Sequence, residues 1–407
     1  MHLLYFHQHF STPQGSASTR SYETARRLVE RGHQVTMVCG SHHTTSTGLD
    51  VSFRRGRREG KVDGIRVIEL NLGFANPDTF IKAFVTHTLF ALRSTVIALA
   101  EQYDVVFSTS TPLTVGIPGI FAKLLRRKPF VFEVRELWPE LSKAMGVIKN
   151  PLLLWAFSAL EWVTYRCANR LIGLSPGIVE AIAKRGISAS HIKMIPNGCD
   201  MALFAAPVSA WRPVEVRADD IMAVYAGAHG QANGLDAALD AASELKRRGH
   251  SHVKLVLVGS GNRKASLVAR AQREKLDNVI FLESVPKTKL AGLMASADIG
   301  LQLLSNIPAF YYGTSPNKFF DYLASGTPVL CNYPGWVSEM ITLHQCGFVV
   351  TPENAKSFAD ALEYAANNRV ELEAMGPRAR QLARTAFSRD QLAEQFCKWL
   401  ELEAELA

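Results

Sequence analysis

Two hydrophobic patterns alternate along this chain. Short apolar runs read as strands buried on both faces, and longer stretches with apolar positions every three or four residues read as helices. In the first half the pattern predicts strands at 3–6, 34–39, 51–53, 65–70, 104–108, 129–134, 170–174 and 193–196. Helices are predicted between them at 19–31, 79–102, 114–125, 151–167 and from 176 onward. The alternation restarts near residue 220, with strands at 221–226, 253–258, 279–282 and 299–304 and helices at 235–248, 262–274 and 287–295. A helix at 317–324, stopped by Gly326, then runs into a strand at 328–330. Such alternation indicates βαβ units and parallel sheets. The expected fold class is α/β, two doubly wound Rossmann-like domains facing a cleft, with ligands beyond the carboxyl ends of the strands. The boundaries read as a first domain at 1–200, a linker carrying Pro207 and Pro213 at 201–220, a second domain at 221–387, and an amphipathic helix at 388–407 that could pack back on the first domain.

Composition narrows the function. A chain of 407 residues exceeds what one core usually serves. With 47% hydrophobic and 20% charged residues it is globular rather than disordered. The net charge of +8 favours anionic partners. No RNP-type aromatic pair or zinc finger is present, so nucleic acid is not an expected partner. The six cysteines are scattered without a CxxC pair and read as buried free thiols of a reducing, cytoplasmic compartment. The first residues are too polar for a signal peptide, no unbroken run of 18 apolar residues suggests a membrane span, and no HExxH or His/Cys cluster suggests a metal. The basic loop at 54–58 and the aromatic helix at 152–166, with Trp155 and Trp162, would together suit an anionic bilayer surface. The other reading is a solvated loop and a core-facing helix.

Four small-residue loops lie near strand ends. The sequence GTSPNK, Gly313 to Lys318, opens a helix whose unpaired first-turn N–H groups suit a phosphate, with Lys318 adding charge. Asp321 and Tyr322 follow one turn later and could reach ligand hydroxyls. The others are Gln14–Thr19 around Gly15 and Ser16, Tyr225–Gly230 with His229, and Val258–Lys264 with Arg263 and Lys264. None has the dinucleotide fingerprint spacing, so a nicotinamide cofactor is not expected. Together they point to one diphosphate site. In the first domain FEVRELWPE sets three carboxylates, Arg135 and an indole at the end of a core strand. Charges there either pair internally or face a cleft. The cleft reading puts Arg135 and Glu136 on the acceptor side. His7 and His9, at the first strand end, read more readily as structural histidines.

With these residues in view, the chain resembles the retaining GT-B glycosyltransferases of family four, and within them the bacterial O-antigen and capsule branch that includes N-acetyl-L-fucosamine transferases. The resemblance is carried, in order, by HFSTPQGSASTRSYETARRLVERGHQVTMV, FEVRELWPE, IPNGCD, YAGAHGQANGLD, LVLVGSGNRK, ESVPKTKL and SPNKFFDYLASGTPVL. It implies transfer of an N-acetylated amino sugar from a UDP-sugar, without a metal or other cofactor, to a polyprenyl-diphosphate-linked glycan at the inner face of the cell membrane. By the same resemblance Gly15 and Ser16 would approach the diphosphate, and Lys264 with Arg263 would neutralise it. His229, Thr314, Ser315, Asn317 and Lys318 would line the donor, Val285 would hold the base, and Asp321 would take the ribose. Glu136, Arg135 and Lys264 would be catalytic. The family's paired glutamates fall here on Gly313 and Asp321, a family histidine falls on Arg135, and a basic position in a glycine loop is Gln231. These departures keep open a nucleotide-sugar 2-epimerase of the same fold and a non-catalytic nucleotide-sugar-binding subunit.

Overall fold

The computed structural model describes residues 1–15, 18–42, 45–74 and 80–405, and divides the chain into two compact units. The first comprises Met1–Pro196, Gly313–Ser315 and Asp390–Ala407, and the second comprises Asn197–Tyr312 and Pro316–Arg389.

The first unit runs β1 (His2–Phe6), α1 (Arg20–Glu30), β2 (Gln34–His42), β3 (Arg57–Val62), β4 (Ile65–Phe74), α2 (Phe80–Ala100), β5 (Val105–Thr109), α3 (Gly116–Arg126), β6 (Phe130–Val134), α4 (Glu140–Ala144), α5 (Pro151–Cys167), β7 (Arg170–Gly173), α6 (Pro176–Lys184) and β8 (Ile192–Met194). Its strands form one sheet in the order β3-β4-β2-β1-β5-β6-β7-β8, parallel except for β3. The centre is β1, with Leu3 opposite Val35 on one side and Val105 on the other. Leu3, Leu4, Tyr5 and Phe6 are all buried, because helices cover both faces of a parallel sheet. Local chemistry sets the helix starts. Asn150 accepts from the N–H groups of Leu152 and Leu153 ahead of Pro151, and Ser175 caps α6 in the same way ahead of Pro176.

Three expectations need correction here. The basic loop runs into the antiparallel strand β3, which takes in its Arg57 and Arg58, and residues 51–53 form no strand. Arg58 bonds Glu69 across the ladder at 2.8 Å and covers the Phe53 ring, so its charge is neutralised within the sheet. Within α2, Lys82–Ala100 is long and apolar enough to cross a membrane by length and composition, because Thr, Ser and His interrupt the apolar run without making it polar.

The second unit runs α7 (Met201–Phe204), β9 (Ile221–Ala226), α8 (Asp236–Arg247), β10 (Val253–Val258), α9 (Lys264–Arg273), β11 (Val279–Leu282), α10 (Lys287–Met294), β12 (Ile299–Gln302), α11 (Ala309–Gly313), α12 (Asn317–Ser325), β13 (Val329–Cys331), α13 (Trp336–Leu343), β14 (Gly347–Val349), α14 (Ala355–Asn367) and α15 (Arg369–Ala386). Its parallel sheet has the order β11-β10-β9-β12-β13-β14, so the strand sequence reverses direction between β9 and β12. Loops beyond such a reversal leave room for a ligand. The stretch read as a linker is packed into this unit: Trp211 donates to the Lys289 carbonyl at 2.8 Å and Arg212 pairs with Asp298 at 3.0 Å. The last helix, α16 (Arg389–Glu405), lies from Asp390 onward in the first unit. There Phe396 meets Phe107 edge-on at 4.9 Å, Arg31 holds Glu394 and Glu401, and Arg170 holds Glu403. The six cysteines are free thiols.

Candidate functional site

In the second unit the loops after β9 and β10 are knitted backbone to backbone. Gly227 N–H donates to the Val258 carbonyl at 3.0 Å, His229 N–H to Ser260 at 2.8 Å, and Arg263 N–H to His229 at 2.9 Å. Only glycine allows this approach at Gly259, where φ is +147° and a Cβ would lie 1.9 Å from the Gly227 oxygen. Gly259→Ala is expected to destabilise the unit by about 1–3 kcal/mol, read as a lowered urea midpoint.

Lys318 stands in the first turn of α12 beneath these loops. Its ammonium is 3.3 Å from the Asn233 side-chain oxygen and 5.1 Å from the Tyr225 ring centre. Among the described residues no carboxylate pairs with it. Burial lowers its pKa to about 8. Pro316, ahead of α12, offers no capping side chain, and the Phe319 N–H turns back to the Pro316 carbonyl at 3.1 Å, so the start of α12 has no side-chain cap of its own. A half-buried cation, a helix start without a capping side chain and glycine loops make an anion receptor at the carboxyl end of the sheet.

The other residues read from the sequence are distributed as follows. Lys264 has its three hydrogens committed, to the Gly259 and Leu282 carbonyls at 2.9 Å and to Glu283 at 2.7 Å. It fastens β10 to β11, and Glu283 must turn away before it can meet a phosphate. Arg263 pairs with Asp236 at 2.9 Å and borders a cavity of about 220 Å³ with Gly230 and Gln231. His229 is fully buried, and neither ring nitrogen reaches a hydrogen-bond partner of good geometry among the described residues. Burial, helped by Lys264, lowers its pKa to about 4, so it is neutral at pH 7. Asp321 is buried with Lys287 at 3.3 Å. Val285 lies in the turn between β11 and α10 and Asn317 opens α12, whereas Thr314 and Ser315 group with the first unit. Tyr322 corrects its expectation. Its hydroxyl accepts from Ala226 N–H at 3.1 Å and donates to the Leu301 carbonyl at 3.3 Å, so it belongs to the core.

In the first unit the chemistry gathers where β1, β5 and β6 end. Glu133 is buried and bonded by Arg20 at 2.9 and 3.0 Å and by the Thr109 hydroxyl at 2.7 Å. Arg20 also donates to the carbonyls of Ile195 and Pro196 at 2.8 and 2.6 Å. For Glu133, then, the internal-network reading holds. Arg135 leans on His7 at 3.4 Å, with its own N–H on the Ser110 hydroxyl at 3.0 Å, and Ser21 meets the other nitrogen of His7 at 2.7 Å. Burial, the neighbouring Arg135 cation and His9 keep His7 neutral. Burial pushes the Glu136 carboxyl up, opposed by Arg135 and the Thr111 hydroxyl. Gly15 forms a turn with its N–H on Thr12, and Ser16 lies outside the described residues. Sequence reading gave Arg20 and Asn233 no role. Arg20 was detectable, since a cation at a helix start opposes the helix dipole and needs a compensating carboxylate.

The glycosyl transferase 4-like domain matches residues 15–198, and the glycosyl transferases group 1 domain matches residues 209–382. The first half of the chain thus matches a glycosyl transferase 4-like domain and the second half a glycosyl transferases group 1 domain. It is 26% identical over 217 residues to an MMP α-(1→4)-mannosyltransferase of Mycolicibacterium hassiacum, covering 51% of this chain and 48% of that one. It is 24% identical over 270 residues to an uncharacterised glycosyltransferase of Methanocaldococcus jannaschii, covering 64% and 65% of the two chains. The chain thus spans about half to two-thirds of the length of these curated relatives. Among solved structures, sucrose-phosphate synthase of Thermosynechococcus elongatus superposes with a TM-score of 0.79 at 18% identity over 100% of both chains. HepE of Anabaena, solved with UDP-glucose, superposes with a TM-score of 0.71 at 18% identity over 98% of this chain and 99% of that one. The two Rossmann-like domains are those of the GT-B fold.

Proposed function

We propose that this protein is a retaining glycosyltransferase that moves an N-acetylated amino sugar from a UDP-sugar to a polyprenyl-diphosphate-linked glycan. The reading places it in the cytoplasm at the inner face of the cell membrane, in surface-polysaccharide synthesis. One observation carries the donor half: Lys318, a half-buried cation that pairs with no carboxylate among the described residues, at a helix start without a capping side chain. A nucleotide diphosphate supplies the missing counter-charge. HepE, of the same fold, has been solved with UDP.

In this reading Lys318 and the Asn317 turn hold the diphosphate, with Gly15, Ser16, Thr314, Ser315 and His229 lining the donor. Arg263 and Lys264 add charge once their present partners yield. Val285 holds the base and Asp321 the ribose. The bond from the anomeric carbon to the diphosphate breaks, and its electron pair leaves with UDP. The acceptor oxygen bonds to that carbon on the same face, and its proton passes to the departing phosphate oxygen. Lysine and backbone N–H groups stabilise the growing negative charge, the work a metal does elsewhere. Glu136 and Arg135 steady the acceptor and the reacting carbon.

The test is a thermal-shift titration with UDP, GDP, ADP and CMP, followed by acceptor-dependent UDP release from UDP-sugars. Selective stabilisation by UDP supports the donor site, and no shift with any nucleotide overturns it. Glu136→Gln is expected to lower turnover about tenfold or more with UDP affinity unchanged. Because burial raises its carboxyl, the acid limb of the wild-type rate profile should lie above the ordinary carboxylate range.

A further inference from the structure

The outer face of α2 carries Val85, Leu89, Leu92, Val96 and Leu99, all exposed, at spacings of four, three, four and three residues. That is one continuous helical stripe. The opposite face buries Phe90, Ala91, Ile97 and Ala98 against β4 and α3. A helix fastened along its length to a sheet lies on a surface and does not cross one. The neighbouring helices extend the stripe. Leu124 and Leu125 are 64% and 65% exposed on α3, which packs on α2. On α5, which packs on α3, Leu152 and Trp155 are 77% and 72% exposed, and Trp162 is exposed beneath Arg166 at 5.2 Å. Three adjacent helices thus share a solvent-facing apolar layer, whereas exposed apolar residues are ordinarily scattered.

Charge selects the occupant. From Lys82 to Lys128 the chain has six Lys and Arg and two acids. Both acids are engaged at the far end of α2, Glu101 with Arg66 and Asp104 with the His2 N–H. Arg127, after Leu124 and Leu125, is exposed, as are Arg93 on α2, Lys149 ahead of α5 and Arg166 on it, whereas Arg126 turns back to the Ala98 and Glu101 carbonyls and Lys128 lies over the Tyr103 ring. An apolar layer edged by cations matches an anionic bilayer, with Trp at its border. A second copy of this chain would bring like charges together.

We infer that the α2–α3–α5 face docks on a membrane rich in anionic phospholipid. This deepens the location given above. It rests on the transferase reading only for why a membrane is near, and donor turnover tests that reading separately. The experiment is flotation of the whole chain with vesicles of phosphatidylglycerol and phosphatidylcholine, against phosphatidylcholine alone. Wild type should float with the anionic vesicles, at least tenfold less with neutral ones, and less as salt rises. Leu92→Glu with Val96→Glu should lower the bound fraction at least tenfold, and Arg127→Glu several-fold, with UDP thermal shifts retained. Equal flotation of wild type and both variants overturns the inference. So does a concentration-dependent dimer that the double variant abolishes while wild type ignores vesicles. Loss of the UDP shift in wild type alone would sink the donor site and leave this surface standing.

Discussion

Lys318→Ala is expected to weaken UDP binding about a hundredfold while leaving the fold intact. Its ammonium sits among Asn233, Tyr225 and the glycine loops with no carboxylate paired to it, so the cost of drying it is unmet until an anion arrives. Removing one partner of a desolvated charge pair costs about 2–5 kcal/mol of binding, and a hundredfold is ~3 kcal/mol. A pH signature accompanies the loss. With its pKa lowered to about 8, free Lys318 sheds its proton as pH rises through that value, and binding must then restore it. UDP affinity should be level from pH 6 to 7.5 and fall by up to about tenfold per unit above pH 8. Lys318→Arg should abolish that fall. Lys264→Ala should cost less, about tenfold, because three protein acceptors already occupy Lys264. Isothermal titration at several pH values reads all four, and unchanged UDP affinity in Lys318→Ala removes the observation on which the proposed function stands.

Arg20→Ala is expected to cost about 3–5 kcal/mol of folding stability, since it strands a buried carboxylate. Glu133 is 1% exposed and would keep only the Thr109 hydroxyl and the more distant Arg135 charge. Two carbonyls at the end of the first unit's sheet would lose their donor as well. Burial by itself would push the Glu133 carboxyl up, but Arg20, Arg135 and the Thr109 hydroxyl outweigh it and hold it below the usual value. A carboxylate so depressed contributes stability above its unfolded pKa and loses it as pH falls through the folded one. Wild type should therefore weaken on acidification below about pH 4.5. In the variant burial wins, so this group's contribution reverses and declines as pH rises. Urea denaturation at pH 3–7 distinguishes the two slopes. Replacing both residues, Arg20→Met with Glu133→Gln, should cost less than Arg20→Ala alone.

The β/α alternation was legible because apolar periodicity is local. Ile221–Ala226 is a single unbroken apolar run, Val253–Val258 is broken only by Lys254, and α5 is bounded by its own Asn-Pro signal. The glycine loops were legible as well, since a residue without a Cβ is conspicuous in sequence. Other features were hidden. Strand β3 was read as a basic loop because the carboxylate that neutralises Arg58, Glu69, belongs to the next strand. Tyr322 was placed with a ligand because helix spacing does not say which side of α12 faces the sheet. The exposed stripe on α2 was not read from the sequence, since sequence separates apolar from polar and not covered from bare.

By itself, then, the sequence determined the two α/β units, the helix starts and the glycine turns that bring the loops after β9 and β10 into contact, all properties of neighbouring residues. Only the tertiary structure decided which charges remain available. Glu133, Lys264 and Asp321 were partnered by residues 113, 19 and 34 positions away, while Lys318 met no carboxylate. The reason is physical: a charge's worth is set by what lies within a few ångströms of it, and folding chooses those neighbours from anywhere along the chain.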